Sequence, residues 1–78
     1  RLARQVGVAG GSYPAVYNAA NEICVAAFHD GSIRFTEIVE TIERVVADHD
    51  GGPLASVEQV LQADAWARAH TAALLDLG

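Results

Sequence analysis

Between the paired glycines Gly10-Gly11 and the next glycine, Gly31, lies the longest stretch of this chain without an interior helix breaker, Ser12 to Phe28, SYPAVYNAANEICVAAF. Its one proline, Pro14, falls in the first turn, where the N–H that proline lacks has no intrahelical acceptor anyway. Ser12 offers a hydroxyl to cap the orphan amides, and Gly31 offers a stop. At 100° per residue, Tyr13, Val16, Tyr17, Ala20, Ile23, Cys24 and Ala27 share one broad face with Phe28 at its edge, which is expected to be core. The small residues Ala15, Ala19, Ala20, Ala26 and Ala27 let other backbones approach on nearly every side. This helix is therefore expected to be the central one.

Its far side is polar. Asn18, Glu22 and His29 fall in a second line, with Val25 beside it and Asn21 on the border between the faces. Asparagine is a poor helix-interior residue because its amide competes for backbone partners, so two within one turn need a reason. One reason is a substrate or metal site; the other is a set of structural hydrogen bonds to loops or to a neighbouring domain. Buried polar groups mostly serve to pair other buried polar groups, and neither a nucleophile nor a second carboxylate stands beside these three. Asn18, Asn21 and Glu22 are accordingly read as a structural polar cluster.

The remaining segments are read around that helix. Leu2, Val6 and Ala9 recur at i, i+4 and i+7 and predict a short first helix, weakened by Gly7 and ended by Gly10 and Gly11. Those glycines precede a helix as a phosphate loop does, but no strand leads into them, their spacing is not that of a dinucleotide fingerprint and no lysine follows. Beyond Gly31, Ile33 and Phe35 are expected to plug the underside of the bundle, and Thr36 to cap a helix whose apolar third is Ile38, Val39, Ile42, Val45 and Val46. On its outer surface Glu40 and Arg44 stand in the favourable i, i+4 order. His49 to Pro53 is a loop of strong breakers. Ser56 and Gln59 then form a capping box ahead of Val57, Val60 and Leu61. Asp64 would share their face, whereas Trp66, Leu74 and Leu77 would lie opposite. A break near Ala63, with Asp64 as a new N-cap, is therefore expected, and a last helix from about Ala65 to Leu77. No segment alternates with period 2, so the fold class is all-α, one small helical bundle of about four to five helices with short loops spanning residues 1–78.

Composition narrows the function classes. A chain of 78 residues, 51% hydrophobic and 19% charged, is a folded domain and not a disordered one. A core of this size typically nets only about 3–5 kcal/mol, so surplus apolar surface calls for a neighbour. The chain lacks methionine and starts inside an expected helix; it is expected to be a piece of a larger protein. Ten acids against five bases, all arginine, give a net charge of −5 and argue against nucleic acid, whose binding rests on neutralising phosphates. No apolar run reaches the roughly 20 residues of a membrane span, and no signal pattern is present. The lone Cys24 reads as a small buried hydrophobe in a reducing compartment, with the cytoplasm as default. His29, His49 and His70 lie on three segments without the close pair that metal sites show. Trp66 is expected to be a packing anchor.

The string YPAVYNAANEICVAAFHDGSIRFTEI, followed by the capped SVEQVLQADAWAR, resembles the C-terminal helical domain of the 1-deoxy-D-xylulose-5-phosphate reductoisomerase family. The resemblance rests on Asn18-Ala19-Ala20-Asn21-Glu22 and on the spacing of Ala27-Phe28, Gly31, Ile33, Phe35 and Ile38 after it. It is densest from Tyr13 to Ile38 and resumes from Ser56 to Arg68. Tyr17 and His29 depart from it, standing where aliphatic residues are expected, and the loop from His49 to Ala55 is of the variable kind. The resemblance implies a parent enzyme that rearranges and reduces 1-deoxy-D-xylulose 5-phosphate to 2-C-methyl-D-erythritol 4-phosphate with NADPH and a divalent cation, Mg or Mn, in the non-mevalonate route to isoprenoid precursors. It further implies a homodimeric parent, with catalytic, cofactor-binding and metal-binding residues upstream of this chain. The segment itself is then non-catalytic and holds no cofactor, and its partners are the remaining domains of the same enzyme. The reading from another class is a stand-alone helical interaction module whose stripe of Asn18, Glu22 and His29 recognises a partner protein.

Overall fold

Three helices, α1 (Tyr13–His29), α2 (Phe35–Asp48) and α3 (Val57–Leu74), make up the fold in the computed structural model, which describes residues 10–77. The short helix expected around Leu2, Val6 and Ala9 lies outside the described residues. Among the described residues there are no strands, so the all-α expectation holds, but the expected four to five helices are not found. One reason is α3, which runs unbroken through Ala63 and Asp64.

The ends of α1 and α3 follow from local hydrogen bonding. After α1, Gly31 adopts a left-handed conformation (φ +86°), and its N–H donates to the Phe28 carbonyl at 3.1 Å while the Ser32 N–H reaches the Ala27 carbonyl at 2.9 Å. That is the Schellman arrangement, which satisfies two carbonyls the helix leaves unpaired. The Asp30 carboxylate fastens the turn by accepting the Ser32 N–H at 3.0 Å and the Ser32 hydroxyl. The same arrangement ends α3 without a glycine. Asp76 takes φ +56°, with Asp76 N–H to the Ala73 carbonyl at 3.1 Å and Leu77 N–H to the Ala72 carbonyl at 2.9 Å. The helix therefore stops at Leu74 and not at Leu77.

Helix starts differ from expectation in two places. Ser12 precedes α1, but its hydroxyl caps no amide; it is drawn instead to His49. Thr36 does not cap α2. The helix begins at Phe35, because the Glu37 carboxylate accepts the Arg34 N–H at 2.6 Å and so ties the chain two residues earlier. The Ser56–Gln59 capping box is formed: the Gln59 N–H donates to the Ser56 hydroxyl at 3.1 Å and the Ser56 N–H to the Gln59 amide oxygen at 2.8 Å.

Helix α1 packs against both α2 and α3, and the α2–α3 contact is the smallest of the three. The expected central helix is thus central. It buries Val16, Ala19, Ala20, Cys24 and Ala27. Facing it are Ile38, Ile42 and Val45 of α2 and, from α3, Ala63, Ala67 and Thr71 at strict i, i+4, i+8 spacing. This small-residue seam resolves the phase conflict in α3: the helix does not need to turn Val57 and Leu61 inward, and both are exposed. Asp64 needs no capping role either, since it pairs with Arg68 one turn on, Nε to Oδ2 3.1 Å.

Three residues assigned to the core lie outside it. Tyr17 is 51% exposed, Val39 55% and Phe35 67%; only Ile33 of the two expected plugs is buried. Arg44 pairs with Asp48 at 3.0 Å and not with Glu40, because Asp48 is already held in place by His70 from α3.

Thr71 is fully buried, and its hydroxyl has no hydrogen-bond partner among the described residues. An unsatisfied buried hydroxyl costs about 1–3 kcal/mol. Thr71→Val keeps the shape and removes the oxygen, so it is expected to raise stability by about 1 kcal/mol, or about 4–8 °C in melting temperature for a domain of this size. A thermal melt that is unchanged or lower for the variant contradicts this.

Candidate functional site

One end of the bundle gathers Tyr13, His49, Trp66 and His70, half of the chain's aromatic and imidazole groups. The loop after α2 is clamped onto the start of α1 by three contacts. His49 Nε2 lies 2.7 Å from the Ser12 hydroxyl, the Tyr13 O–H donates to the His49 carbonyl at 3.2 Å, and the Gly51 N–H donates to the Tyr13 oxygen at 3.2 Å. The Tyr13 and His49 rings meet edge to face at 4.8 Å. On the other side His49 tilts against Trp66 at 5.4 Å, and Trp66 stacks on His70 at 4.7 Å with 16° between the planes. The indole thus contacts two imidazoles. His70 Nε2 then donates to Asp48 Oδ2 at 2.8 Å, which links α3 back to α2.

Sequence reasoning missed this cluster. It judged the three histidines by their separation along the chain and found no metal pair. The available signal was different: Trp66 and His70 are four apart and so stack on one helix face, and His49 directly follows α2. His29 takes no part and ends α1 beside Phe28.

Beside the cluster is an open cleft of about 350 Å³ lined by Ser12, His49, Gly51, Leu54, Gln62 and Trp66 among others. Ser12 and His49 have the spacing of a nucleophile and its base. Their surroundings are those of a clamp: Ser12 is only 5% exposed, and a Cβ at Gly51 would stand 2.8 Å from His49 Nε2 and 2.9 Å from the Ser12 hydroxyl. The loop backbone sits directly over the pair. No group of three or more His, Cys, Asp and Glu able to hold a metal ion occurs among the described residues. Cys24 is buried among apolar groups, and burial pushes its thiol pKa up, away from the reactive thiolate.

Asp48 carries the electrostatics of the site. The hydrogen bond from His70, with Arg44 adding to it, holds its carboxyl below the ordinary value. A depressed carboxylate contributes stability that is complete above the unfolded-state pKa, about 3.9, and is lost as pH falls through the lower folded-state value. The expected consequence is that wild type loses stability below about pH 4 more steeply than Asp48→Asn. Melting temperatures of both proteins between pH 2 and pH 6 check this; parallel acid limbs contradict it.

The three residues singled out from sequence are all exposed. Glu22 Oε1 meets Arg68 Nη2 at 2.6 Å, joining α1 to α3, and Arg68 also holds Asp64. Solvent screening keeps such exposed pairs weak. The side chains of Asn18 and Asn21 make no hydrogen bond to another described residue, so the structure gathers the three on one outer surface without joining the two amides to a loop.

Comparison with known proteins adds a separate line of information. Residues 1–70 match the sequence model of a family described as the DXP reductoisomerase C-terminal domain. The chain is 57% identical over 70 residues to the 1-deoxy-D-xylulose 5-phosphate reductoisomerase of Arthrobacter sp. (strain FB24), covering 90% of this chain and 18% of that protein. It is 58% identical over 76 residues to the enzyme of that name from Nocardia farcinica (strain IFM 10152), covering 95% and 19%. For that of Kitasatospora griseola it is 54% over 72 residues, covering 88% and 19%. The chain thus spans less than a fifth of the length of these curated relatives. No solved structure gives a significant match.

Proposed function

This chain belongs to the DXP reductoisomerase C-terminal domain family, and from that premise we propose that it is the C-terminal helical domain of a 1-deoxy-D-xylulose 5-phosphate reductoisomerase. The observation that carries the reading is identity above 50% across nearly the whole chain to relatives that bear that name. In this reading the parent rearranges and reduces 1-deoxy-D-xylulose 5-phosphate to 2-C-methyl-D-erythritol 4-phosphate with NADPH and Mg or Mn. It does so as a homodimer in the cytoplasm.

The domain's part in that reaction is mechanical. The described residues do not fit a divalent cation, and Gly10-Gly11-Ser12 is engaged by the loop at Gly52 and His49, which leaves no cradle for a nucleotide phosphate. The proposal therefore assigns both groups to the rest of the parent. Asn18, Asn21 and Glu22 are assigned structural ties, Glu22 to α3 and the two amides to the neighbouring domains. No described helix is long and apolar enough to cross a membrane.

The test is an assay of the full-length polypeptide beside the 78-residue chain. The full-length protein is expected to oxidise NADPH in the presence of 1-deoxy-D-xylulose 5-phosphate and a divalent cation, and the chain alone to show neither turnover nor NADPH binding. Turnover or tight cofactor binding by the chain alone would sink the assignment, as would a full-length protein inert towards this substrate.

A further inference from the structure

Three exposed aromatic residues, Tyr17, Phe28 and Phe35, lie along the outer edge of the α1–α2 pair. On α1, Tyr17, Asn21 and Phe28 fall within about 40° of one another around the helix axis, and all three are exposed. On α2, Phe35 and Val39 are exposed on the matching edge. The two edges form one surface, since the Phe28 and Phe35 rings meet edge to face at 5.8 Å. This surface lies off the sides of the two helices that carry the ion pairs to α3, Glu22 on α1 and Asp48 on α2, each more than about 90° around its helix from this edge. It is therefore not a seam left ajar inside the bundle.

Contiguous apolar patches of this kind mark contact surfaces, and tyrosine and phenylalanine are the residues that contact surfaces favour. Asn21 stands among the aromatic groups with its amide unengaged by any described residue. Within a covered patch an amide of this kind needs a partner, and it can both donate to and accept from a passing backbone. Beyond Val39 the rim turns acidic with Glu43 and Glu40, both exposed.

We propose that this face is the seat of the polypeptide that precedes the domain in the parent enzyme, a surface with an apolar centre and a basic edge, whose backbone hydrogen-bonds the Asn21 amide. This rests on the reading of the chain as one domain of a longer enzyme. The matched relatives extend far beyond the region of similarity, which is 18–19% of their length, and the family description places the domain at the C-terminal end. A partner on the same polypeptide is present at high effective concentration and meets the face without the entropic cost of association that a second molecule pays.

Photo-crosslinking in the full-length protein tests it. Phe35, and in a separate protein Tyr17, is replaced by the photoreactive aromatic p-benzoylphenylalanine, and cross-linked peptides are mapped after irradiation. The expected result is cross-links from both positions to peptides upstream of the family domain. Cross-links confined to residues 1–78, a covalent dimer, or no cross-link at either position overturns the proposal. Hydroxyl-radical footprinting of the unmodified full-length protein covers the case in which a replacement prevents folding. Tyr17, Phe28 and Phe35 are expected to be labelled several-fold more slowly than in the denatured protein, and labelling at the denatured rate overturns the proposal. Turnover measured on the same preparation separates the two failures, since an active enzyme with a freely labelled face refutes the docking and leaves the reductoisomerase assignment standing.

Discussion

Gly11→Ala is expected to destabilise the domain by about 2–5 kcal/mol, the sum of a left-handed backbone penalty of about 1–2 and an overpacking cost of about 1–3. Gly11 has φ +65°, a conformation in which a side chain crowds the following carbonyl. It is also where the two loops touch: a Cβ would lie 2.2 Å from the Gly52 carbonyl oxygen and 3.3 Å from the Pro53 carbonyl carbon. Those are backbone atoms, which cannot swing aside as a side chain does, so the 51–53 loop must lift. Lifting it strains the Ser12–His49 and Tyr13–Gly51 contacts together. Gly31→Ala is the control, because Gly31 has φ +86° with nothing within 4 Å of an added Cβ, and its cost is the backbone term alone. Urea unfolding followed by emission from Trp66, the only tryptophan, compares them. Equal losses at both positions would show that the close approach of the loops does not contribute.

Ala67→Leu is the second large effect. Ala67 is fully buried at the middle of the seam between α3 and α1, between Ala63 and Thr71 on its own helix. Small residues on both sides set how closely the helices approach, and interaxial distance follows the side chains at the contact. Three added carbons have no vacant volume to enter in an interior packed at crystal-like density. The expected cost is about 1–3 kcal/mol, with a lower melting temperature and weaker stacking of Trp66 on His70, both borne by the same helix. Ala69→Leu, at an exposed position on α3, carries the same change in helix propensity and is expected to be near neutral. Comparable losses from the two would mean that the seam is not closely packed.

Several features of the fold were legible in the residues because they depend on local chemistry. Pro14 and Gly31 bound α1, the Ser56–Gln59 box opens α3, and the breakers from His49 to Pro53 mark the long loop, each by backbone constraints that hold whatever packs around them. Tertiary choices were not legible. Ser12 has the position of a cap, but a hydroxyl can serve an amide or a histidine, and His49 lies 37 residues away. The large apolar residues around Asp64 predict a break in the helix, but the face that is buried is the small one, Ala63, Ala67 and Thr71. Tyr17 and Val39 have the periodicity of core residues and Phe35 the place of a plug, and all three are exposed in this chain. Periodicity reports that a face is apolar without reporting what covers it.

The same distinction applies to the polar residues on α1. The pairing of Glu22 with Arg68 depends on where α3 lies, and no described residue hydrogen-bonds the amide of Asn18 or Asn21. The supporting role proposed for the domain makes a definite claim about Asn21. In an exposed helix interior, asparagine to alanine raises helix propensity and stabilises by up to about 0.7 kcal/mol. If Asn21 instead ties the domain to the rest of the enzyme, the substitution removes a buried hydrogen bond and costs about 1–3 kcal/mol. Measuring the melting temperature together with kcat and KM for 1-deoxy-D-xylulose 5-phosphate, in the full-length Asn21→Ala enzyme, tests the account most directly. The account predicts a lower melting temperature with KM unchanged at temperatures well below the transition, and an unchanged melting temperature with a large rise in KM would contradict it.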